Sequence, residues 1–134
     1  MKRLALVLAL CCAATAAWCP MPHKTAGVKE SLQPHPVTAT WYGRAYHNRL
    51  TAWHFHGNPG YRFDAWAPCA AHNTLPLGSW VRVRFAQTGR SLAVQIVDRG
   101  PTAPGVDIDL SEGAALQLGY RSLGKVTLEM EAIP

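Results

Sequence analysis

The clearest structural signal in the sequence is a pair of strands joined by a tight turn. From Trp80 to Phe85, apolar and basic residues alternate, so the apolar side chains share one face and the arginines the other. Residues 87–90 (QTGR) supply a turn, and Leu92 to Val97 form a second strand-like run. This pattern predicts a β-hairpin, which ends sharply at the DRGP segment 98–101.

Together with this hairpin, the rest of the sequence predicts a small β-barrel with one short helix. With 134 residues the chain holds one domain, and its 11 glycines and 10 prolines exclude a long-helix protein. Residues 44–68 have the composition of a long loop, and loops of that length are commonly functional. The other predicted elements are strands at Val37–Tyr42 and Lys125–Met130, and a helix at Glu112–Leu118 between a Ser111 N-cap and Gly119.

The first 36 residues are typical of an exported protein. Lys2 and Arg3 precede an apolar run that is too short to span a bilayer, and Ala14-Thr15-Ala16 fits a cleavage site. We therefore predict a signal peptide at 1–16, a Pro-rich linker at 17–36 and a folded domain at 37–134. No small residue precedes any of the nearby cysteines, so lipoprotein anchoring is not expected. The protein is predicted to be periplasmic or secreted.

The distribution of charge limits the classes of molecule that the protein is expected to bind. Part of the formal +5 charge leaves with the signal peptide, and the remaining arginines are scattered singly, so no nucleic-acid partner is expected.

Cys19 and Cys69 remain in the mature chain, and an oxidising compartment permits a bridge between them. Two unbridged thiols are the alternative. No stable membrane span is expected, and we predict a monomer.

Two carboxylic acids and one histidine are the candidates for catalysis. Asp98 ends an apolar strand before a Gly-Pro turn, and Asp109 lies between Ile108 and Leu110, where burial would raise its pKa. Such a pair could supply the general acid and base for glycoside cleavage. The alternative is structural: the two aspartates cap a turn and a helix, and His72 is a hydrogen-bonding residue of a short polar interruption.

Aromatic and histidine residues suggest two further kinds of site. Tyr42, Trp53 and Trp66 are candidates to line a sugar-binding groove, whereas Trp80 is expected to fill the core. His54 and His56, with His47 nearby, could form a metal patch, but the spacing matches no recognised ligand set. We therefore expect neither a metal nor another cofactor.

The motifs, taken in order, resemble those of the rare lipoprotein A (RlpA) family. The matching segments span residues 39 to 131 and include ATWYG at 39–43, TA at 51–52, FD at 63–64, AAHNTLPL at 70–77, VRV at 81–83, GRS at 89–91, DRGP at 98–101 and IDLS at 108–111. The resemblance implies an all-β fold, a six-stranded double-psi β-barrel with one short helix. It also implies a peptidoglycan lytic transglycosylase that leaves 1,6-anhydro-N-acetylmuramic acid ends.

The resemblance also assigns roles to residues. It implies that His72 and Asp98 are functional residues, and related double-psi barrels rely on an aspartate at the position of Asp109. We therefore expect Asp98 to be the principal acid/base, Asp109 to tune it or stabilise positive charge, and His72 to orient the acid or bind sugar. We expect Tyr42, Trp53, Tyr61, Trp66 and Arg99 to bind the substrate. Tyr61 stands where the family usually carries a glutamate, which leaves a second hypothesis open: a non-catalytic, expansin-like module that binds or loosens peptidoglycan.

Overall fold

The computed structural model describes residues 33–134 and contains six strands, two α-helices and two 3₁₀ turns. The strands are β1 (His35–Tyr42), β2 (Cys69–His72), β3 (Trp80–Phe85), β4 (Arg90–Asp98), β5 (Ile108–Ser111) and β6 (Val126–Ile133). The helices are α1 (Ala52–His56) and α2 (Glu112–Leu118), and the 3₁₀ turns cover Arg44–Tyr46 and Arg121–Leu123.

The six strands close into a barrel in the order β1-β5-β2-β4-β3-β6. Two neighbouring pairs, β1–β5 and β2–β4, are parallel, and the other four pairs are antiparallel. Closure leaves no strand edge unpaired in the sheet. The prediction of an all-β, six-stranded barrel is confirmed.

The barrel interior is filled by alternate residues of the strands. On β3, Val81, Val83 and Phe85 are buried while the residues between them are exposed, as the period of two predicts. One end of the barrel is covered by α2, whose Ala115 and Leu118 are fully buried in the same core. Trp80 does not join this core. It is 41% exposed, and the expectation that it fills the interior was wrong because it lies on the outward-facing alternation of β3.

Three elements differ from the sequence-based expectation. The helix α1 lies within the segment 44–68 that was expected to be loop, so the barrel carries two short α-helices rather than one. The strands β2 and β5 were not recognised, because each has only four residues and too few alternations to show a period. The first strand begins at His35, two residues before the predicted start.

A buried carboxylate joins the end of β1 to the start of α2. Glu112 is 1% exposed and accepts hydrogen bonds from Arg121 Nε (2.7 Å) and from the backbone N–H of Arg44 (3.3 Å). Burial alone would raise the pKa of Glu112, but the hydrogen bonds from Arg121 and Arg44 outweigh it and leave this pKa below its usual value. The contacts of Glu112 therefore hold the 3₁₀ turn that follows β1 against the start of α2.

Several expectations fall outside the described residues. The predicted signal peptide, most of the predicted linker, and Cys19 lie there, and so does a Cys19–Cys69 bridge. Cys69 itself is buried at the start of β2, and burial raises the pKa of its thiol to about 12.

Between residues 33 and 134, no helix has the length and apolar character needed to cross a membrane.

The close approach of α2 to the loop before β2 makes a test of the fold. A Cβ added at Gly113 would lie 2.7 Å from Trp66 Cα and 2.8 Å from its carbonyl carbon, both of them backbone atoms that cannot swing away. We expect Gly113→Ala to lower the free energy of unfolding by roughly 1–3 kcal/mol, measured by urea denaturation. The control Leu116→Ala, on the exposed face of the same helix, should change it by no more than about 0.5 kcal/mol. A gain from Gly113→Ala would contradict this packing.

Candidate active site

Strand pairing places the two candidate acids on either side of one small residue. Ala71 on β2 pairs with Asp109 on β5 and with Asp98 on β4. Because adjacent strands lie about 4.8 Å apart, the Cα atoms of the two aspartates are separated by roughly 10 Å. The methyl group of Ala71 leaves the space between them open.

A register shift turns Asp98 toward this site. Along β2 and β4, Ala70 pairs with Ile96, but the next residue, Ala71, pairs with Asp98, so Val97 is an extra residue on β4. Ile96 lies in the barrel core, and strict alternation would send Asp98 to the same interior. The bulge instead re-aims the Asp98 side chain to the outer surface of the barrel.

The two carboxyl groups share a cavity of about 310 Å³. Its lining includes Asp98, Asp109, Thr40, Tyr42, Tyr46 and Ala71, together with the loop that follows Asp98. A larger groove of about 800 Å³ lies against Phe85, Leu123 and Val126. The carboxylate lining that groove, Glu129, is ion-paired with Arg84. The smaller cavity is therefore the better candidate, because it brings two carboxyl groups together.

Backbone amides hold one oxygen of Asp98. Its Oδ1 accepts hydrogen bonds from the N–H of Ala52 (2.8 Å) and from its neighbour Arg99 (2.9 Å). Ala52 is the first residue of α1, so the short helix within the long loop serves to fix this acid. Within the described residues, Oδ2 makes no hydrogen bond. That oxygen keeps its capacity to accept hydrogen bonds.

Asp109 is half-buried and hydrogen-bonded to the neighbouring strand. Its Oδ1 accepts a hydrogen bond from Thr40 Oγ1 (2.8 Å), its direct partner in the parallel register of β1 and β5. Burial raises the pKa of Asp109, and the hydrogen bond from Thr40 offsets only part of that effect. The sequence-based expectation that buried neighbours raise this pKa is confirmed. A carboxyl group of this kind is suited to hold a proton and donate it.

His72 supports the site without lining the cavity. Its Nδ1 accepts the backbone N–H groups of Thr74 (3.2 Å) and Leu75 (3.1 Å), a pattern that assigns the proton of the neutral ring to Nε2. Burial lowers the pKa of His72, which favours the neutral ring that these bonds require. The carbonyl of His72 accepts a hydrogen bond from Arg99 Nη1 (2.9 Å), and so does that of Leu75 (2.7 Å). The histidine thus shapes the turn that holds Arg99 at the rim.

The structure places only some of the predicted sugar-binding residues at the cavity. Tyr42 and Arg99 line the cavity, whereas Trp53, Tyr61 and Trp66 do not. The rings of Trp53 and Tyr61 pack together with centroids 4.8 Å apart, and burial raises the pKa of Tyr61 to about 12. Trp66 is 49% exposed, with the Arg44 guanidinium 5.5 Å from its ring centroid.

Sequence reasoning did not identify three contributors to the cavity. Thr40, Tyr46 and the amide of Ala52 were not among the predicted site residues. Thr40 could have been found, because it shares the outward face of β1 with Tyr42, two residues away. The amide of Ala52 has no such signal, since its role depends on a contact 46 residues along the chain.

The histidines considered for a metal patch have local hydrogen-bonding roles. His47 Nδ1 accepts the N–H of Ala65 (3.2 Å), and His54 Nδ1 accepts the N–H of Gly60 (2.7 Å). Across the described part of the chain, no three His, Cys, Asp or Glu side chains are placed to hold a metal ion.

Comparison with protein families gives a match over most of the described chain. The family profile described as lytic transglycolase matches residues 35–130. The chain belongs to the lytic transglycolase family. The resemblance to RlpA proteins predicted from the motifs is confirmed, and the double-psi β-barrel of this family accounts for the observed barrel.

Curated relatives of this chain carry RlpA names. The endolytic peptidoglycan transglycosylase RlpA of Pseudomonas aeruginosa is 42% identical over 96 residues, which is 72% of this chain and 26% of that protein. The probable enzyme of the same name from Synechocystis is 45% identical over 94 residues, covering 69% of this chain and 27% of that protein. The chain therefore spans about a quarter of the length of these relatives.

Solved structures support the fold of this family member. The Streptomyces papain inhibitor superposes with a TM-score of 0.54 at 23% identity, covering 74% of this chain and 94% of the inhibitor. A point mutant of a Clavibacter michiganensis expansin, in complex with cellohexaose, gives 0.58 at 17% identity over 76% of this chain and 51% of its own. An inhibitor and an expansin share the barrel, so the fold by itself does not decide the function.

The raised pKa of Asp109 has a consequence for stability. A carboxyl group with a raised folded-state pKa binds its proton more tightly in the folded protein, so its contribution to stability falls as pH rises above the ordinary aspartate value. Asp109→Asn cannot ionise, and its amide oxygen can still accept from Thr40. We expect this variant to be more stable than the parent at pH 7, and the difference to shrink toward pH 3. Urea denaturation across this range measures it, and a difference that does not change with pH would contradict the burial argument.

Proposed function

We propose that this chain is a peptidoglycan lytic transglycosylase that cleaves between N-acetylmuramic acid and N-acetylglucosamine and leaves a 1,6-anhydro end. The observation that carries the proposal is the pairing of Asp98 and Asp109 across Ala71 in one cavity. The substrate is proposed from the names of the relatives, which are endolytic peptidoglycan transglycosylases. A signal peptide at residues 1–16, release into the periplasm or the medium, and a monomeric state remain parts of this proposal.

Proton donation to the glycosidic oxygen is assigned to Asp109. Its raised pKa keeps the carboxyl group protonated at a higher pH than an exposed aspartate, which a general acid requires. The donated proton goes to the oxygen of the leaving sugar, and the bond from that oxygen to the anomeric carbon breaks. This assignment reverses the expectation from the motifs, in which Asp98 was the principal acid and Asp109 tuned it.

The second half of the reaction needs no water. Positive charge that develops at the anomeric carbon is stabilised by Asp98, which lines the cavity and whose Oδ2 makes no hydrogen bond within the described residues. The C6 hydroxyl of the same muramic acid residue then attacks the anomeric carbon. Its proton returns to Asp109, which restores the acid for the next cycle.

Arg99 and His72 are assigned supporting roles. Arg99 is anchored by Nη1 to two carbonyls, so the rest of its guanidinium is presented at the cavity rim, where it can bind sugar oxygens. His72 maintains the turn that supplies those carbonyls. It is therefore proposed as a positioning residue rather than as a group that touches the substrate.

A non-catalytic peptidoglycan-binding module is the alternative. The observation that favours it is Tyr61, which stands where the family usually carries a glutamate and packs against Trp53 outside the cavity. A transglycosylase requires one acid/base group, since the substrate supplies its own nucleophile. The loss of one glutamate is therefore compatible with activity.

An assay with purified sacculi distinguishes the transglycosylase from the binding module. We expect the parent to release anhydro-muropeptides, detected by mass spectrometry of the soluble fraction, and Asp98→Asn and Asp109→Asn each to lower the rate about 100-fold or more. Glu129→Gln is the matched control, because this carboxylate lies on a surface strand and is paired with Arg84. Sedimentation of the parent with sacculi and no anhydro product would favour the binding module instead.

A further inference from the structure

A second cavity, here called the arginine cavity, lies beside the 3₁₀ turn that follows β1. It has a volume of about 250 Å³ and is lined by Trp41, Gly43, Arg44, Ala45, Glu112 and Arg121. The side chain of Arg44 is 71% exposed and that of Arg121 is 40% exposed, whereas the carboxylate of Glu112 is buried. A molecule in solution can therefore reach both guanidiniums but not the carboxylate between them.

This cluster carries more positive than negative charge. Arg121 Nε donates to Glu112 Oε1 at 2.7 Å, and Arg44 Nη2 lies 3.4 Å from the same oxygen. One carboxylate therefore holds two guanidiniums close together and neutralises only one of them. Among the described residues that line the cavity there is no second acidic side chain. A further anion would relieve the repulsion between the two arginines.

Each arginine keeps N–H groups that Glu112 does not use. A guanidinium has five N–H donors in a planar fork. Within the described part of the chain, Arg121 Nη1 and the Nε and Nη1 of Arg44 make no hydrogen bond. Pairs of N–H groups in this arrangement bind a carboxylate through two parallel hydrogen bonds. The chemistry of the cavity therefore fits a carboxylate.

Two tryptophan rings restrict the movement of the arginines. The Arg121 guanidinium is 5.2 Å from the centroid of the Trp41 ring, and the Arg44 guanidinium is 5.5 Å from that of Trp66. Trp41 Nε1 also donates a hydrogen bond to the carbonyl of Arg121 (3.0 Å). Side chains that are held before a ligand arrives lose less conformational entropy when it binds. These contacts therefore favour the binding of an anion by both arginines.

The 3₁₀ turn separates the arginine cavity from the cavity of Asp98 and Asp109. Tyr46 lines the cavity of the two aspartates, and Arg44 and Ala45 line the arginine cavity. Because a 3₁₀ helix rises about 2 Å per residue, the two cavities lie one short turn apart. A sugar bound between the aspartates could therefore extend a flexible substituent around the turn to the arginines.

We propose that the arginine cavity binds a carboxylate carried by the glycan whose sugar occupies the cavity of Asp98 and Asp109. This inference rests on the proposed function for the class of ligand. Peptidoglycan carries carboxylates on the lactyl group of muramic acid where no peptide is attached, and on the peptide where one is. The two aspartates repel such a group, and Arg44 and Arg121 attract it, so its binding orients the sugar at the site of cleavage.

Arg44→Gln tests the arginine cavity with little disturbance to the fold. The backbone N–H of residue 44 still donates to Glu112, and Arg121 still pairs with that carboxylate. The matched control is Arg84→Gln, which removes the same charge from an exposed arginine paired with Glu129. Since both substitutions remove a solvent-exposed arginine, we expect the two variants to have similar melting temperatures.

Calorimetry with three ligands measures the dependence on the carboxylate. They are a peptide-free tetrasaccharide of alternating N-acetylglucosamine and N-acetylmuramic acid, its methyl ester, and the same tetrasaccharide with peptides attached. Each is titrated into protein carrying Asp109→Asn, so that it is not consumed. We expect Arg44→Gln to weaken binding of an ionised ligand about tenfold and to leave binding of the methyl ester unchanged. The ionised ligand that responds identifies the source of the carboxylate.

Three results would overturn the proposal. Arg44→Gln and Arg84→Gln could bind all three ligands alike. The methyl ester could lose as much affinity as the ionised ligands, which is the result of a purely structural role for Arg44. None of the ligands could bind to the Asp109→Asn protein or, at 4 °C, to the parent.

The result is separable from that of the cleavage experiment. If the parent releases no anhydro-muropeptides but Arg44→Gln weakens binding of an ionised ligand, the transglycosylase proposal fails and the carboxylate site stands. If the parent cleaves sacculi while Arg44→Gln binds the three ligands as the control does, the carboxylate site fails alone.

Discussion

Pairing of one short strand with two neighbours is the constraint on which the site depends. Because β2 lies between β4 and β5, Ala71 meets an aspartate on each side, and both acids come from segments that are distant from it in sequence. A slip of one residue in either pairing would send an aspartate into the barrel core. Closure of the barrel fixes the register, and the bulge at Val97 corrects the direction of Asp98.

The cavity contains features that oppose stability. Asp109 is held where burial penalises its ionised form, and the Tyr42 hydroxyl is buried with no partner among the described residues. Glu112, by contrast, is buried and accepts hydrogen bonds from Arg44 and Arg121. Concentration of unfavourable features in one place is typical of a site arranged for a ligand and not for the resting protein.

The hairpin, the first and last strands and α2 could be predicted because each carries a local signal. Alternation identifies β3 and β4, and Ser111 and Gly119 delimit the helix that the structure shows. The strands β2 and β5 were missed, although their motifs supplied Asp109 and His72 through the resemblance. The cavity could not be predicted from local pattern, because Thr40, Ala71 and Asp98 meet only through long-range pairing. The position of His72 behind Arg99 likewise depends on a turn.

The Asp98 carboxylate is held by hydrogen bonds from the main-chain amides of Ala52 and Arg99. Every amino acid except proline has the amide hydrogen that such a bond needs, so the donor belongs to the backbone and not to the alanine side chain. The TA segment at 51–52 is one of the motifs that match the family, yet the atom that anchors the carboxyl group is the amide of Ala52 and not its side chain. A search restricted to catalytic side chains would overlook such a position, and only the path of the backbone reveals it.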